Sequence, residues 1–537
     1  MKKSFLFLIL IIASCTAQEK ADLIITNANI YTVNNNFAKA EAFAIKDGKF
    51  IAVGTSEEIQ KNFIAQQTID AQGKTIVPGL IDAHCHFYGL GLLQQKVDVT
   101  GTKSYDEVLD KLAAFQKEKS LKYITGRGWD QNDWTVKEFP TNEKLDVLFP
   151  NTPVAISRID GHALLVNSVA LKLAGIDKNT KVSGGEIIKK DGVLTGVLID
   201  NAMDFVFKII PKPSKEEAVQ ALQAAEKICF DLGLTTVDDA GLDREIIELV
   251  DSLQQVGELK IRMYAMITAD KKNLDYYLKK GISKTDRLNV RSFKFYGDGA
   301  LGSRGAALRK AYSDKVNHFG ALIFDVKTIK NTAERIANSE FQMNTHAIGD
   351  SANHIMLTTY KQVLKDKKDR RWRMEHAQIL APEDFDAFTE ILPSVQPTHA
   401  TSDMYWAKDR VGTERIKMGY AYKKLLQKYG KVALGTDFPI EKVNPMLTFY
   451  AAVARKDLNN FPDGGFQFEN ALSREETLKG MTIWAAYANF EEAEKGSIEV
   501  GKLADFILLD QNIMEVDIDK VPKTKVLNTY VNGEKVQ

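Results

Sequence analysis

Strand and helix patterns alternate along the middle of this chain, and this alternation restricts the fold more than any other feature. Helical patterns such as Lys215–Leu232 and Arg244–Gln255 separate the strand patterns. The predicted strands are Thr75–His86, Leu234–Ala240, Lys260–Thr268, Val290–Tyr296, Phe341–His346, Arg371–His376, Leu392–Gln396 and Lys431–Asp437. Alternating units of this kind predict a parallel sheet, and eight of them predict an α/β fold closed into a (β/α)8 barrel of the TIM type.

Short β-rich segments lie at both ends of the chain, outside these strands. Residues 21–77 contain alternating apolar and polar segments separated by turn pairs such as Asp47-Gly48, and residues 497–537 contain two more. Neither end has enough strands to bury a sheet face alone. We therefore expect one small β-sandwich built from residues 21–77 and 497–537, with the barrel in residues 78–496.

The stretch between the first two predicted barrel strands is too long to be an ordinary loop. Residues 90–213 contain helix and strand patterns of their own, including Tyr105–Lys119 and Val154–Ile159. We expect an insertion after barrel strand 1 that folds over the catalytic face. The length of 537 residues is sufficient for a barrel with such additions.

The first twenty residues resemble a targeting segment. Lys2 and Lys3 precede an apolar run, Phe5–Ile12, that is too short to span a bilayer. The string Ile-Ala-Ser-Cys resembles a bacterial lipobox, in which cleavage leaves Cys15 for acylation; an ordinary secretory signal is the alternative. We expect residues 1–20 to be a signal peptide and tether, and the protein to be an exported lipoprotein on the periplasmic or outer face of a membrane.

The charge composition gives no electrostatic reason to expect a nucleic-acid partner. Lys+Arg and Asp+Glu both number 71, so the formal net charge is zero. Besides Cys15, only Cys85 and Cys229 are present, and they indicate no disulfide framework. We expect a small-molecule substrate and a lipid anchor as partners, and a homo-oligomer remains an open alternative.

Histidines recur where the predicted strands end. His84 and His86 are two residues apart on one strand, so their side chains point to the same face. His346 and His376 end two later strands, and Asp437 ends the last one. Active sites of such barrels lie at the carboxyl ends of the strands. The five side chains therefore indicate a shared site for a divalent metal.

Lys294, in the strand Ser-Phe-Lys-Phe-Tyr, is a sixth candidate. Alternation puts Ser292, Lys294 and Tyr296 on the inner face and the two phenylalanines on the outer face. An unpaired ammonium inside the barrel is costly. Either a carboxylate neutralises it, or the amine reacts with CO2 to give a carbamate that bridges two metals. Physics alone favours the salt bridge.

The order HxH, Lys, His, His, Asp resembles the metal-dependent amidohydrolase superfamily. The strings Gly-Asp-Gly-Ala-Leu-Gly-Ser-Arg (297–304), His-Ala-Ile-Gly-Asp (346–350) and Gly-Thr-Asp-Phe-Pro (435–439) look like its amidohydrolase 3 group, in the branch that contains N-substituted formamide deformylase. The resemblance implies one or two divalent ions, with zinc favoured by ligand type. It implies metal ligands at His84, His86, Lys294, His346, His376 and Asp437, where no departure from the pattern appears.

In detail, the resemblance implies that His84 and His86 hold a buried metal and that His346 and His376 hold a more exposed one. It also implies that a carbamylated Lys294 bridges the two metals. The alternative, which pairing of buried charges favours, is a salt bridge between Lys294 and a carboxylate. Members of the superfamily also work with one metal, so the number of ions stays open.

The activity that this resemblance implies is hydrolysis of a non-peptide C–N bond, in an amide or N-substituted formamide (EC 3.5 class). A bound metal lowers the pKa of water from about 15.7 towards about 7, and the resulting hydroxide attacks the carbonyl carbon. We expect Asp437 to shuttle the proton to the leaving amine. The alternatives are deamination or another hydrolysis at the same metal site, and a lipid-anchored binding protein with an inactive barrel.

Four further residues are candidates for catalysis or substrate binding. Trp129, Asp160 and His162 lie in the insertion, where His162 either bonds to the substrate or is a capped loop residue. Arg304 follows a glycine-rich turn and either binds a substrate carboxylate or forms a surface ion pair. His399 follows the seventh predicted strand and is left outside the predicted site, although its position allows it to face the pocket.

Overall fold

The structure is a computed structural model that describes residues 18–159, 161, 163–182 and 185–537. The chain divides into two compact units, one of which is Tyr88–Ala225 and the other the remainder. The predictions for Cys15, Asp160 and His162 lie outside the described residues and stay predictions. Across the described ranges, no helix has the length and apolar character needed to cross a membrane.

Eight parallel strands form a nearly closed barrel in the larger unit. They are β1 (Leu80–Cys85), β2 (Leu234–Leu242), β3 (Arg262–Thr268), β4 (Leu288–Tyr296), β5 (Gln342–Ala347), β6 (Arg373–His376), β7 (Leu392–Val395) and β8 (Ala433–Leu434). Each strand pairs in parallel with the next, from β1 to β8. The α/β architecture with eight parallel strands, predicted from the alternation, is therefore confirmed.

Amphipathic helices separate these strands, as the alternation requires. The helix Val326–Ala337 buries Ile329 and Ile336 on one face, and its capping residue Asp325 accepts a hydrogen bond from the backbone N–H of Thr328. The other helices within this unit are Ser56–Asn62, Arg244–Gln255, Lys271–Lys280, Asp350–Val363, Pro397–Asp403, Ala407–Arg415, Tyr422–Tyr429, Pro445–Ala454, Arg474–Gly480 and Ile483–Ala488, with 3-10 turns at Pro382–Thr389, Ile416–Met418, Phe468–Asn470 and Ile518–Lys523.

The barrel closes between β8 and β1 through contacts other than a regular ladder. β8 ends at Leu434, three residues before the predicted end. Thr436 then donates from its backbone N–H and its hydroxyl to the carboxylate of Asp82 in β1, at 3.0 and 2.7 Å. The N–H of Asp437 donates to the carbonyl oxygen of His84 at 2.7 Å. The chain after β8 is thus fixed directly against the first histidine-bearing strand.

Strands from both ends of the chain form two further sheets in the same unit. One contains Glu19–Thr26, Ala42–Lys46, Lys49–Gly54 and Phe63–Asp70, and the other contains Asn29–Tyr31, Lys39–Ala40, Thr75–Pro78, Phe506–Leu509, Val526–Val531 and Glu534–Lys535. Phe43 and Phe50 of the first sheet pack against Phe506 of the second in one core cluster. Because Thr75–Pro78 pairs with Phe506–Leu509, the two ends of the chain share a core.

The smaller unit has a six-stranded mixed sheet and a core of its own. Its strands, in sheet order, are Gly185–Lys190, Val193–Asp200, Ala163–Val166, Val154–Arg158, Ile124–Trp129 and Val97–Asp98. Its helices are Tyr105–Lys119, Glu143–Leu148, Ser168–Leu173 and Asp204–Phe207, with a 3-10 turn at Gln131–Asp133. The helices Phe87–Leu93 and Lys215–Asp231 cross the unit boundaries. A placement over the catalytic face stays a prediction.

Candidate metal centre

The first predicted histidine pair lies against Asp437 at the carboxyl end of β1. His84 is in the strand and His86 directly follows it. The Nε2 atom of His86 is 3.1 Å from Asp437 Oδ1, and the Nε2 atom of His84 is 3.7 Å from the same oxygen. The three ligand atoms all lie within 4.8 Å of one another, which is close enough for one cation to contact all three.

The second predicted pair, His346 and His376, joins His84, His86 and Asp437 in one cluster. β6 ends at His376, whose ring centre is 4.8 Å from that of His84 and 4.5 Å from that of His346 in β5. His376, His399 and Asp437 form a second group with ligand atoms within 4.8 Å. The fold thus brings together residues that are up to 353 positions apart, from His84 to Asp437.

The histidines of the first pair are each fixed through Nδ1. Nδ1 of His84 is 2.6 Å from Oε2 of Glu375, and Nδ1 of His86 is 2.9 Å from the carbonyl oxygen of Ala240. An ionised carboxylate and a carbonyl only accept hydrogen bonds, so Nδ1 carries the proton in both rings. In the neutral form of either ring, Nε2 is then left with a lone pair, which is the state that binds a metal.

The second pair is held in the same way. Nδ1 of His376 is 2.7 Å from Oε1 of the Gln396 side chain. His346 is hydrogen-bonded to the backbone of Gly299, and its Nε2 atom is buried without a partner in the described part of the chain. Buried polar atoms nearly always have partners, so an unpaired nitrogen directed at the cluster fits a role as a metal ligand. The donor set fits a divalent ion such as zinc.

Burial sets the protonation states of the cluster. Burial lowers the pKa of His84 and His376 well below the ordinary value, and it lowers that of His346 to about 3, with Lys294 adding to the effect. Burial alone would raise the pKa of Asp437, but the hydrogen bond with His399 and the surrounding imidazoles hold it well below its usual range. At neutral pH His84, His346 and His376 are therefore neutral imidazoles and Asp437 is a carboxylate, which are the ligand forms that metals require.

Lys294 points into the cluster from β4. Its side chain is 1% exposed, and its Nζ atom is 2.9 Å from Nε2 of His84. Burial lowers the pKa of Lys294 to about 8, although Glu375 and Asp437 act in the opposite direction. Within the described residues, its polar partner is this histidine and not a carboxylate. No carboxylate of the described residues therefore forms the salt bridge that was weighed in the sequence analysis.

Two residues of the cluster have left-handed backbone conformations. His376 has φ +68° and Asp437 has φ +63°, values that residues other than glycine rarely adopt. Such strained conformations persist where the surrounding structure fixes them, and they concentrate at functional sites. At His376 the conformation also breaks the strand alternation, so that Glu375 and His376 both face the cluster.

A cavity of about 380 Å³ opens onto the histidines. Its apolar walls are Leu301, Ile348, Trp406 and Ile440, and polar groups including Glu441 lie among them. A concave, largely apolar cavity with a few convergent polar groups is typical of a small-molecule site. The geometry therefore combines a candidate metal cluster with space for a small substrate.

The sequence profile of the amidohydrolase family matches residues 67–537. The chain belongs to the amidohydrolase family. It is 34% identical to the protein LONG AFTER FAR-RED 3 of Arabidopsis thaliana, over 96% of this chain and 91% of that one, and 25% identical to N-substituted formamide deformylase of Arthrobacter pascens, over 95% and 97%. A solved structure of an uncharacterized metal-dependent hydrolase from Pyrococcus furiosus is 27% identical, covers 92% of this chain and 100% of that one, and has a TM-score of 0.79.

Two predicted substrate contacts of this amidohydrolase have other partners. Trp129 is fully buried in the core of the smaller unit, and its indole N–H donates to the carbonyl oxygen of Ile156 at 2.8 Å. Trp129 therefore packs in this core, and substrate binding by Trp129 stays a prediction. Arg304 pairs with Asp314 through hydrogen bonds of 3.0 and 2.9 Å, which is the ion-pair alternative; substrate binding by Arg304 stays a prediction.

The amidohydrolase cluster also contains polar residues that the sequence analysis did not assign to the site. Glu375 and Gln396 hold two of the histidine rings, while His399 and Glu441 lie on the far side of Asp437. The position of two of these residues in the sequence could have indicated them, because Glu375 precedes a strand-end histidine and Gln396 directly follows β7. Strand alternation argues against Glu375 as a site residue, because it places neighbouring residues on opposite faces and His376 is expected to face the barrel interior.

Asp298 organises the loops beside the amidohydrolase cluster. Its carboxylate accepts hydrogen bonds from the backbone N–H groups of Ala307, Ile348 and Gly349, at 2.9, 3.0 and 2.8 Å. These bonds connect the loop after β4 to the loop after β5. Asp298 Oδ1 is also 3.7 Å from Nε2 of His346, so the same side chain lies next to a candidate ligand.

Proposed function

We propose that this protein is a metal-dependent hydrolase that cleaves a non-peptide C–N bond, in an amide or N-substituted formamide, of a small molecule. The observation that carries the proposal is the convergence of four predicted histidines and Asp437 at the end of a cavity, with His84, His86 and His376 held through Nδ1. Similarity to N-substituted formamide deformylase over most of both chains supports the choice of bond.

His84, His86 and Asp437 would hold one divalent ion, and His346 and His376 would take part in holding a second. When bound, such an ion acts as a Lewis acid that polarises a carbonyl group and lowers the pKa of water. Zinc is the proposed ion because the donors are imidazole nitrogens and a carboxylate.

Asp437 is the proposed proton carrier. Its pKa is held well below the usual range, so it is a carboxylate at neutral pH and is able to accept a proton. Asp437 takes the proton that is released as water adds to the carbonyl carbon, and gives the same proton to the amine nitrogen as the C–N bond breaks. The products are a carboxylic acid or formate and a free amine.

Lys294 is the proposed site of carbamylation. Its amine combines with CO2 to give a carbamate and one released proton, which replaces a buried cation by an anion among metal ligands. The lowered pKa of Lys294, its burial and its contact with His84 support this reaction, because an unprotonated amine is required.

The cavity walls favour a substrate with an apolar substituent near the scissile bond. Leu301, Ile348, Trp406 and Ile440 surround the space in front of the cluster. Burial of an alkyl or aromatic group there contributes roughly 25 cal/mol per Å² of apolar surface. An N-alkyl or N-aryl amide or formamide therefore fits the site better than a strongly polar substrate.

The decisive experiment is a turnover screen of N-acyl and N-formyl compounds with purified protein whose metal content is measured. We expect release of amine and acid in the wild type. The variant Asp437→Asn should lower kcat at least about 100-fold through loss of the proton carrier. It should largely spare the metal content, because the amide oxygen of the new side chain still offers a ligand atom. The matched control is Asp384→Asn, which removes a carboxylate that pairs with His354 instead.

Full activity of Asp437→Asn would show that Asp437 is not the proton carrier. Release of ammonia from amino-substituted substrates, without cleavage of any amide, would favour the deaminase alternative. Absence of turnover with any restored metal would indicate a binding protein.

A further inference from the structure

Asp437 has a side-chain partner on the side opposite to His86. We propose that His399, with Glu441 behind it, is a positioning residue that fixes the orientation of the Asp437 carboxylate. The inference rests on the proposed role of Asp437 as proton carrier and adds a device that holds it in place.

The two oxygens of Asp437 have different neighbours. Oδ2 is 3.3 Å from Nε2 of His399, in a hydrogen bond, while Oδ1 is 3.1 Å from Nε2 of His86. Oδ1 is buried and has no hydrogen bond with suitable geometry to any described residue. His399 thus holds one oxygen, so that the other is presented to the metal cluster.

Glu441 holds His399 from the opposite side of the ring. Its Oε1 atom is 3.1 Å from Nδ1 of His399 and accepts a hydrogen bond from the hydroxyl of Ser402 at 2.5 Å. The side chains of His399 and Glu441 are 12% and 19% exposed, so water competes little for these bonds. The chain Asp437–His399–Glu441–Ser402 therefore runs from the cluster towards the surface.

The backbone gives this chain a rigid base. His399 lies in the first turn of the helix Pro397–Asp403, which begins with a proline at the second residue after β7. Asp437 and Glu441 are four residues apart, and the backbone N–H of Ile440 donates to the carbonyl oxygen of Asp437 at 2.9 Å. The side-chain contacts thus connect the segments that follow β7 and β8.

Loss of His399 frees the Asp437 carboxylate to rotate about its terminal torsion. A displacement of about 1 Å in a reacting group costs on the order of 100-fold in rate. We therefore expect His399→Ala to lower kcat by about 10- to 100-fold, with KM changed by less than about threefold because His399 acts through Asp437.

One competing interpretation is that His399 is itself a metal ligand. The ligand atoms of His376, His399 and Asp437 all lie within 4.8 Å of one another, so a cation fits there as well. The two interpretations differ in stoichiometry, because loss of a ligand removes metal and loss of a positioning residue does not.

The experiment compares His399→Ala, His399→Gln and Glu441→Gln with the wild type. The control is His354→Ala, which breaks a histidine–carboxylate pair of the same kind, with Nδ1 2.7 Å from Asp384, outside the cavity. The measurements are kcat and KM, metal content by mass spectrometry and the visible absorption of the cobalt(II)-substituted proteins.

We expect His399→Ala to keep the wild-type metal content but to shift the cobalt(II) absorption bands, because the Asp437 ligand is reoriented. The amide of His399→Gln can donate to Asp437 and should recover most of the kcat. Glu441→Gln, which keeps the shape and loses the charge that anchors the ring, should give a smaller loss in the same direction. His354→Ala should match the wild type in every measurement.

Three outcomes overturn the proposal. Loss of metal from His399→Ala would show that His399 is a metal ligand, and a rise in KM alone would show that it contacts the substrate. An unchanged kcat and an unchanged cobalt(II) spectrum would show that His399 does not position Asp437. If the wild type cleaves no C–N bond, the proposed function fails, whereas the spectra of the variants still test the positioning of Asp437.

Discussion

Glu375 shows that the cluster depends on a side chain outside the predicted ligand set. It is fully buried and holds the ring of His84 through a contact of 2.6 Å to Nδ1. We predict that Glu375→Gln lowers metal affinity by about 10- to 100-fold, because the neutral amide makes the imidazole a weaker ligand. Competition with a chelator of known affinity measures this effect.

The control for this residue is Glu383→Gln, which alters an exposed carboxylate that pairs with Arg309. It should leave the metal affinity unchanged. Equal affinities of Glu375→Gln and the wild type would contradict the role given to Glu375.

Individual site residues were predictable from the sequence where they end a strand. His376 and Asp437 could be named because each comes at the end of a predicted strand. Glu375 and His399 could not be placed. The arrangement of Glu375 beside His376 depends on the left-handed backbone at His376, and that of His399 depends on a helix that starts at the second residue after β7. The motif of Trp129 indicates a binding residue, whereas in the structure its side chain is fully buried in the core of the smaller unit. The motif does not reveal this burial.

At the scale of elements, an ion pair connects β3 to the C-terminal segment. Arg262 and Asp505 are both buried and share hydrogen bonds of 2.6 and 3.1 Å. We predict that Asp505→Asn lowers the free energy of unfolding by about 3–5 kcal/mol, because it leaves a buried guanidinium without its counter-charge. Denaturant titration measures the change. Glu245→Gln, which breaks an exposed pair with Lys272, should cost no more than about 1 kcal/mol.

The same pair predicts a dependence of stability on pH. Burial would raise the pKa of Asp505, but the charge and hydrogen bonds of Arg262 outweigh it, so the pKa is lowered in the folded state. A carboxyl group of this kind contributes stability above its unfolded pKa, about 3.9, and the contribution is lost as the pH falls through the folded pKa. Asp505→Asn should therefore lose less stability than the wild type below about pH 4, and an equal loss would contradict the assignment.

Element bounds followed the sequence wherever the hydrophobic period was regular. The helix Arg244–Gln255 has the predicted ends because its apolar face repeats without interruption. β8 is shorter than predicted, because Gly435 lies so close to the backbone of His84 that even a Cβ atom would be 2.5 Å from the His84 nitrogen. That approach is a property of barrel closure, which local sequence does not encode.

At the scale of the whole molecule, the cluster ties together strands from both halves of the barrel. β1, β5 and β6 and the segment after β8 all supply candidate ligands, so an ion that binds them stabilises the folded chain. A free ion concentration of 100 times Kd contributes about 2.7 kcal/mol. We predict that chelation lowers the midpoint of thermal unfolding and that added zinc restores it.

The control is His86→Ala, in which chelation should shift the midpoint less than in the wild type because one candidate ligand is absent. If metal analysis shows complete removal of the ion and the midpoint of the wild type is unchanged, the cluster does not contribute to global stability.

The Nδ1 contacts of His84, His86 and His376 have a consequence for cation exchange. Because these contacts fix the orientation of each ring, an incoming ion requires no ring to turn. One divalent cation can then replace another without unfolding of the barrel. Since ligand sets of this kind bind several transition metals in a fixed order of affinity, the ion found in the isolated protein will reflect cellular supply as much as selectivity.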